Sequence, residues 1–533
     1  MNSKSSMYIL AKFDVSGIQQ YIFASNRLRE NVGASCQVTR ILEEFLPEAI
    51  EESIILPQEC IVKWEEEDRL SILERENIKA EIIYIGGGNA MVLFGGREIF
   101  QSVCRNLGRK TAENCQGIYL AVAYIESSLQ NFRNDIDQLT ENMAKNKADM
   151  IRQPIYSSFP VVEQDNDSHQ PITRCYRYKK ENTGMQEELP QVDNMTEMRY
   201  QKWMAYEWSR EHKNRKLYPS IDGMINYDYP VEMDALCRKH GEDSYIAVVH
   251  IDGNGMGRQI HEVLHAYEEY AKAVPLLREK SKKISEIFAD TYKSMLLKLY
   301  EYTKPEVDDQ EGRTVFPLRP IVLDGDDITF LCTADLAIPI TVGFLRELFY
   351  GQEEGVQKIT ACAGIAFVHS HFPFYEAYRI AEESCSRAKN KWYQEMKENH
   401  RNQGKSFLDF QVVKNNNIGG SQGHEEWQMR PYSIDSDNKN KGCINDSVVH
   451  LYRVIKEMED KWPSNRLHRI YRAILEGEEQ IELLEKEFAS RNYNIKELIQ
   501  TEEWKKSSLF DALELRGLCK VELLADFLNI QEK

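Results

Sequence analysis

The sequence predicts an α+β protein: two ferredoxin-like βααββαβ units in tandem, followed by a C-terminal helical domain. Twice, an apolar run of strand length ends in aspartate and passes through glycine into helical sequence, at Tyr8–Phe23 and at Tyr245–Gly257. Each is followed by a hairpin signal, β-forming residues on both sides of a tight turn, at Glu81–Phe94 and at Pro320–Cys332. The spacing repeats as well: Gly88 lies 74 positions after Asp14, and Asp326 lies 74 after Asp252. A helical segment and another strand follow each hairpin, Ile118–Ile125 in one case and Ile359–Val368 in the other. Equal spacing with equal element order reads as an internal duplication.

Length and composition set the frame. A chain of 533 residues predicts about three or four domains. The order divides it into a first unit at 1–152, an irregular and helical insert at 153–241, a second unit at 242–415, and a linker with helical domain at 416–533. With 42% hydrophobic and 29% charged residues the composition is that of a soluble globular protein. No apolar run reaches membrane-spanning length, and the N-terminus lacks a signal-peptide pattern. Eleven cysteines without a C-x-x-C pair predict reduced thiols, a cytoplasmic location and no cysteine-based zinc site. A net charge of −18 disfavours a surface devoted to wrapping nucleic acid.

The chemistry concentrates in the second unit. Asp324, Gly325, Asp326 and Asp327 form the turn of its hairpin. Carboxylates about 4 Å apart repel by roughly 4 kcal/mol at an effective dielectric near 20, and a divalent cation would offset this. Alone, the turn reads equally as an ordinary Asp-Gly hairpin with solvated acids. Asp252, at the end of a neighbouring strand, tips the balance: acids from two strands can share cations, as in a palm-type nucleotidyltransferase where two metals hold a triphosphate and activate a hydroxyl. Asp252, Asp326 and Asp327 are the candidate catalytic residues, and with Asp324 the candidate ligands for Mg²⁺ or Mn²⁺. Gly253, Asn254, Gly255 and Gly257 form a turn that lets phosphates approach the backbone, and Gly325 lies in the hairpin turn. Lys389 could reach a phosphate or be an ordinary surface lysine. In the first unit the matching turn, Gly86 to Asn89, carries no carboxylate; Gly87 and Gly88 would leave room for a second nucleotide.

Elsewhere the sequence says less. The insert interleaves Arg174, Arg177, Lys179, Lys180, Lys202, Arg210, Lys213, Arg215 and Lys216 with Tyr200, Trp203, Tyr206 and Trp208. Such a pattern suits RNA, but more often marks a solvated helix with an apolar stripe. His169, Cys175, Cys237 and His240 lack zinc spacing. The C-terminal region has no cluster of chemical groups and reads as a helical bundle.

These motifs resemble a known family. Tyr245–Gly257, the Asp-Gly-Asp-Asp turn, Ala363-Gly-Ile-Ala and the helix ending in Ala388-Lys389 resemble the second palm of the polymerase-like large subunit of type III CRISPR effectors. Asp14–Phe23 with Arg27–Ser35 is similar to that subunit's first palm, and the likeness runs from about residue 7 to 415. The resemblance implies two palms and conversion of ATP into cyclic oligoadenylates for antiviral defence, with two divalent metals on Asp252, Asp326 and Asp327. It also implies guide-RNA-containing effector subunits and target RNA as partners. Three departures stand out. Asp324 replaces a glycine. The chain starts at the first palm with no His-Asp dipeptide, so DNA cleavage by an HD nuclease domain is not implied. The cysteine pairs of the family's zinc insert are missing from 153–241. A catalytically silent scaffold subunit, a cyclic-dinucleotide synthase and a template-dependent polymerase are the competing readings.

Overall fold

The computed structural model describes residues 7–151, 161–165, 170–178, 191–212, 216–219, 227–237, 245–303, 314–352, 358–399, 405–414, 425–434, 446–495, 498 and 507–530. The first unit is built on strands β1 (Tyr8–Ser16), β2 (Cys60–Ile61), β3 (Ala80–Gly86), β4 (Asn89–Phe94) and β5 (Tyr119–Ser127). They form one mixed sheet in the order β2-β3-β4-β1-β5. Its helices are α1 (Ile18–Ile22), α2 (Leu28–Arg40), α3 (Leu46–Glu52), α4 (Ser71–Glu74), α5 (Arg97–Asn114) and α6 (Phe132–Asp149). A π-turn at Ile41–Phe45 joins α2 to α3.

The insert contributes a hairpin, β6 (Arg174–Tyr178) and β7 (Gln191–Met195), then α7 (Glu197–Glu211) and the short β8 (Tyr227–Asp228). Helix α7 lies so close to α2 that a Cβ on Gly33 would sit 1.8 Å from the Lys202 carbonyl oxygen. Among the described side chains of this region, several cations are paired within the protein. Arg199 is buried against Glu30, Asp165 and Asp193. Lys202 donates to the Tyr21 carbonyl at 3.0 Å, Arg174 pairs with Glu197, and Arg210 pairs with Glu207. Trp203 and Tyr206 are buried. Lys202, Trp203 and Tyr206 thus face the protein interior rather than solvent. Lys179, Lys180, Lys213, Arg215, His169 and His240 lie outside the described residues.

The second unit uses β9 (Tyr245–Gly253), β10 (Thr314–Val315, paired with β8), β11 (Leu318–Asp324), β12 (Asp327–Thr333), β13 (Ala361–His369), β14 (Phe407–Val412) and β15 (Tyr432–Ser433). Apart from β10 they form a mixed sheet in the order β11-β12-β9-β13-β14-β15. Its helices are α8 (Met256–Leu264), α9 (Tyr270–Thr303), α10 (Ala334–Tyr350) and α11 (Phe374–Asn399). Side-chain alternation divides the sheet's two faces. Ile246, Val248, Leu331, Ala366 and Val368 join the core shared with α11 and the first unit. Ala247, Val249, Ile251, Phe330 and Ile365 join the core shared with α9, α10 and the C-terminal helices.

The hairpin and first-strand parts of the two sheets correspond position by position. Asp14 opposes Asn89 as Asp252 opposes Asp327. Both hairpins carry a register irregularity at the same place, Ile82/Tyr84 and Pro320/Val322. Gly17 and Gly255 cap the following helices with φ of 72° and 68°.

Several contacts tie the units together. Phe23 stacks on Tyr378 of α11, centroids 3.8 Å apart. Arg278 of α9 is buried against Glu81 at 2.9 Å and donates to the Ile82 and Ile83 carbonyls. Among the described residues five helices follow: α12 (Val448–Lys461), α13 (Ser464–Glu476), α14 (Glu478–Ala489), α15 (Ser508–Glu514) and α16 (Val521–Leu528). Buried Asp511 of α15 anchors them, accepting from the amides of Met429 and Arg430 and from the Tyr432 hydroxyl at 2.7 Å.

Candidate active site

Strand pairing places three carboxylates in one row. Asp324 of β11 opposes Asp327 of β12, and Asp327 opposes Asp252 of β9. Directly opposed residues project to the same face. That face is the one covered by α11 and the first unit, since Ile246, Val248 and His250 precede Asp252 at alternate positions. Asp326 sits in the turn, next to Gly325 at φ 60°.

The G-x-G turn after β9 packs against this acid. A Cβ on Gly253 would meet the Asp326 Cβ and Oδ2 at 2.8 Å, and the Gly253 amide donates to the Asp326 carbonyl at 3.2 Å. Gly255 needs its left-handed backbone, whereas Gly257 has open space around it. Asn254 points away: its side chain is 3% exposed and donates to Thr360 Oγ1 at 3.0 Å. It holds the turn rather than facing a ligand. Lys389 reaches from α11 to Asp252 Oδ2 at 2.5 Å and to the Gly253 carbonyl at 3.0 Å. Its seat depends on Gly364 of β13, where a Cβ would lie 2.0 Å from the Ala381 carbonyl oxygen of α11.

Two cavities meet at Asp326. The smaller, about 320 Å³, is lined by Asp252, Gly253, Gly255, Gly257, Arg258, Lys389 and Tyr393 as well as Asp326. It opens at the N-terminus of α8, where unpaired amides favour an anion. The larger, about 500 Å³, lies between the units; Asp324, Asp326, Asp327 and Tyr378 face it from one side, and Gly17, Ile18 and Gly87 from the other. The glycine turn of the first unit therefore shares a cavity with the acidic turn of the second. Gly87 provides the opening; a Cβ on Gly88 would strike Ile18 at 2.3 Å.

Crowding shows in the titration behaviour. Burial, then the Asp252 charge, pushes the Asp326 carboxyl up to about 6. Asp327 is raised well above the usual carboxylate range by burial and by Asp252 and Asp326. Burial takes His250 down to about 4, so the ring 3.5 Å from Asp327 is neutral at pH 7. Burial pulls the Lys389 ammonium down, but Asp252 more than offsets it.

Among the described residues no three carboxylate, histidine or cysteine side chains converge as a ready-made metal site. The donor chemistry nevertheless suits a hard divalent cation: oxygen ligands only, crowded like charges, and a buried Asp327 Oδ1 with no hydrogen-bond partner. Lys389 holds the Asp252 carboxylate that such a cation would share. Sequence reasoning missed Arg258, which directly follows the glycine motif, and Tyr378, Tyr393 and Lys216, which carry no local signal.

Residues 245–399 match the family described as Cas10/Cmr2, second palm domain. No curated protein matches the chain. Among solved structures the chain is similar to one from a Csm1–Csm4 cassette crystallised with pppApA, at 12% identity over 76% of this chain and 54% of that one, TM-score 0.44. The cassette with pppApApA gives 12% identity over 98% and 69%, TM-score 0.49. The cassette with cA4 gives 11% over 98% and 71%, TM-score 0.44. The chain thus spans about half the length of the first of these (54%). No helix among the described residues is long and apolar enough to cross a membrane. Over residues 245–399 the chain is similar to the second palm domain of Cas10/Cmr2.

Proposed function

We propose that this protein is a metal-dependent nucleotidyltransferase that converts ATP into cyclic oligoadenylate-type second messengers in CRISPR-linked antiviral defence. The observation that carries the reading is the meeting of two cavities at Asp326, one lined by a glycine turn and a lysine, the other by a second glycine turn. In this reading the triphosphate of one ATP lies in the smaller cavity, against the α8 N-terminus, Lys389 and Arg258. A second nucleotide lies in the larger cavity beside Gly87 and presents its ribose hydroxyl. That hydroxyl forms a new bond to the first nucleotide's α-phosphorus while the bond to the bridging oxygen breaks and pyrophosphate leaves. The hydroxyl proton passes to a carboxylate of the acidic turn. Asp252 and Asp326, with Asp327, would hold Mg²⁺ or Mn²⁺, which would neutralise phosphate charge and lower the hydroxyl's pKa.

Matching strand order, register and bulge position support the first unit being a second, duplicated ferredoxin-like palm that lost its acids. Effector subunits of a guide-RNA complex and target RNA are the proposed partners, and the cytoplasm the proposed location. The test is to incubate purified protein with each nucleoside triphosphate, with and without co-purifying RNA, and identify products by mass spectrometry. Linear and cyclic oligoadenylates are expected with Mn²⁺ or Mg²⁺ and none in EDTA. Undiminished product in chelator would overturn the metal-dependent reading. A dinucleotide ring would replace the product assignment, and complete inactivity with RNA present would favour a silent subunit.

A further inference from the structure

Asp324 occupies a position where the family resemblance has glycine, and its surroundings differ from those of the other acids. It lines only the larger cavity, whereas Asp252 lines only the smaller and Asp326 lines both. Its Oδ1 accepts from the Lys216 ammonium at 3.4 Å. The same ammonium donates to Glu43, which belongs to the π-turn of the first unit. One cation is thus shared by carboxylates from both units, on the wall where the two turns face each other. Asp324 is the only acid of the row with this partner: Asp252 pairs with Lys389, and Asp327 Oδ1 has no hydrogen-bond partner.

We infer that Lys216 withdraws Asp324 from the cation site and makes it a positioning residue, a latch that ties the acidic turn to the π-turn of the first unit. The location of the cation site rests on the function proposed above; the latch itself does not. Two charges follow different rules here. Asp326 and Asp327 have no ammonium contact among the described residues and are left to attract a metal, while Asp324, like Asp252 with Lys389, already has a counter-ion and adds little pull of its own. Removing Lys216 frees a fourth carboxylate directly opposite Asp327, so the turn becomes a stronger attractor for cations and a looser structural element.

Two measurements on the full chain test this without relying on turnover. The first is Mn²⁺ titration followed by electron paramagnetic resonance of the free ion. Asp326→Asn should weaken binding at least tenfold and Asp324→Gly less than threefold, while Lys216→Met should tighten it severalfold. The second is hydrogen exchange. Lys216→Met and Asp324→Gly should each speed exchange severalfold at residues 41–45, far from either substitution in sequence; Lys216→Gln serves if the methionine variant folds poorly. Loss of Mn²⁺ affinity in Asp324→Gly as deep as in Asp326→Asn would overturn the withdrawal. Unchanged exchange at 41–45 in the Lys216 variant would overturn the latch. A wild-type chain that binds no Mn²⁺ would overturn the cation site and the withdrawal together, with the exchange arm still deciding the latch.

Discussion

Gly364→Ala should separate the seat of helix α11 from everything else in the second unit. The new Cβ would lie 2.0 Å from the Ala381 carbonyl oxygen and 2.3 Å from the Cys385 amide nitrogen, both backbone atoms that cannot rotate away. Ordinary contact begins at 3.4 Å, so the helix must retreat from β13 by roughly the 1.4 Å difference. Overpacking of this kind typically costs about 1–3 kcal/mol. Lys389 lies one turn beyond Cys385, and a shift of that size breaks its 2.5 Å contact with Asp252. If Lys389 positions a phosphate, a displacement of about 1 Å lowers turnover on the order of 100-fold. Denaturant midpoints at constant slope measure the first effect, and product formation at saturating ATP the second. Gly108→Ala in α5 is the control: nothing lies within 4 Å of its Cβ, so the substitution should stabilise by about 0.5–1 kcal/mol. A Gly364→Ala protein as stable and as active as wild type would refute the packing argument and, with it, the positional role given to Lys389.

Three other outcomes are expected. Asp14→Ala should leave turnover within a few-fold while Asp326→Ala abolishes it, because the first unit's turn carries Gly88 and Asn89 in place of acids; equal losses in folded proteins would mean that the silent copy is misassigned. Gly87→Trp should suppress oligomer formation more than binding of a single ATP, measured by calorimetry with a non-hydrolysable analogue, since Gly87 lines the cavity between the units and lies outside the smaller one. Lys202→Met should stabilise the fold at pH 7, because burial holds the Lys202 ammonium down at about 8. Between pH 8 and about 10.5 the unfolded chain binds more protons than the folded one, so wild-type stability rises with pH and the gap to the variant closes by up to about 3 kcal/mol. A gap that does not change with pH would show that this lysine is not charged and buried.

The features legible in the sequence are those set by local rules. An apolar run ending in Asp252 and a turn at Gly325 fix strand ends, and strand ends fix which carboxylates oppose one another. The repeat of spacing found the corresponding turn of the first unit, although the sequence could not say that Ile18 fills the space beside Gly88 and leaves Gly87 as the opening. What escaped was tertiary. Lys216 stands in an irregular segment with no periodicity, and its partners Glu43 and Asp324 are 173 and 108 residues away. Asn254 read as a ligand because it lies between two glycines, but only the fold shows Thr360 in reach of its amide. Tyr378 carries no local signal, and nothing in the sequence around it announces Phe23 as its stacking partner.

Charge balance at the ends of the first strands differs between the two units. Asp14 is held by Lys147 of α6 at 2.6 Å, much as Asp252 is held by Lys389 of α11. Each lysine comes from the helix that follows the last strand of its βααββαβ unit. In the first unit the acid is fully answered: the turn is glycine, Asn89 accepts from the Tyr84 hydroxyl, and the one carboxylate has the ammonium of Lys147 in contact and that of Lys12 nearby. In the second unit the corresponding lysine, Lys389, faces Asp252, Asp326 and Asp327, while Lys216 is shared between Asp324 and Glu43. Two carboxylates therefore remain in excess, and burial first, then this surplus, raises the affinity of Asp326 and Asp327 for protons. A surplus that favours protons also favours a divalent cation, and the arrangement that is least comfortable for the free protein is the one suited to gathering metal and triphosphate together.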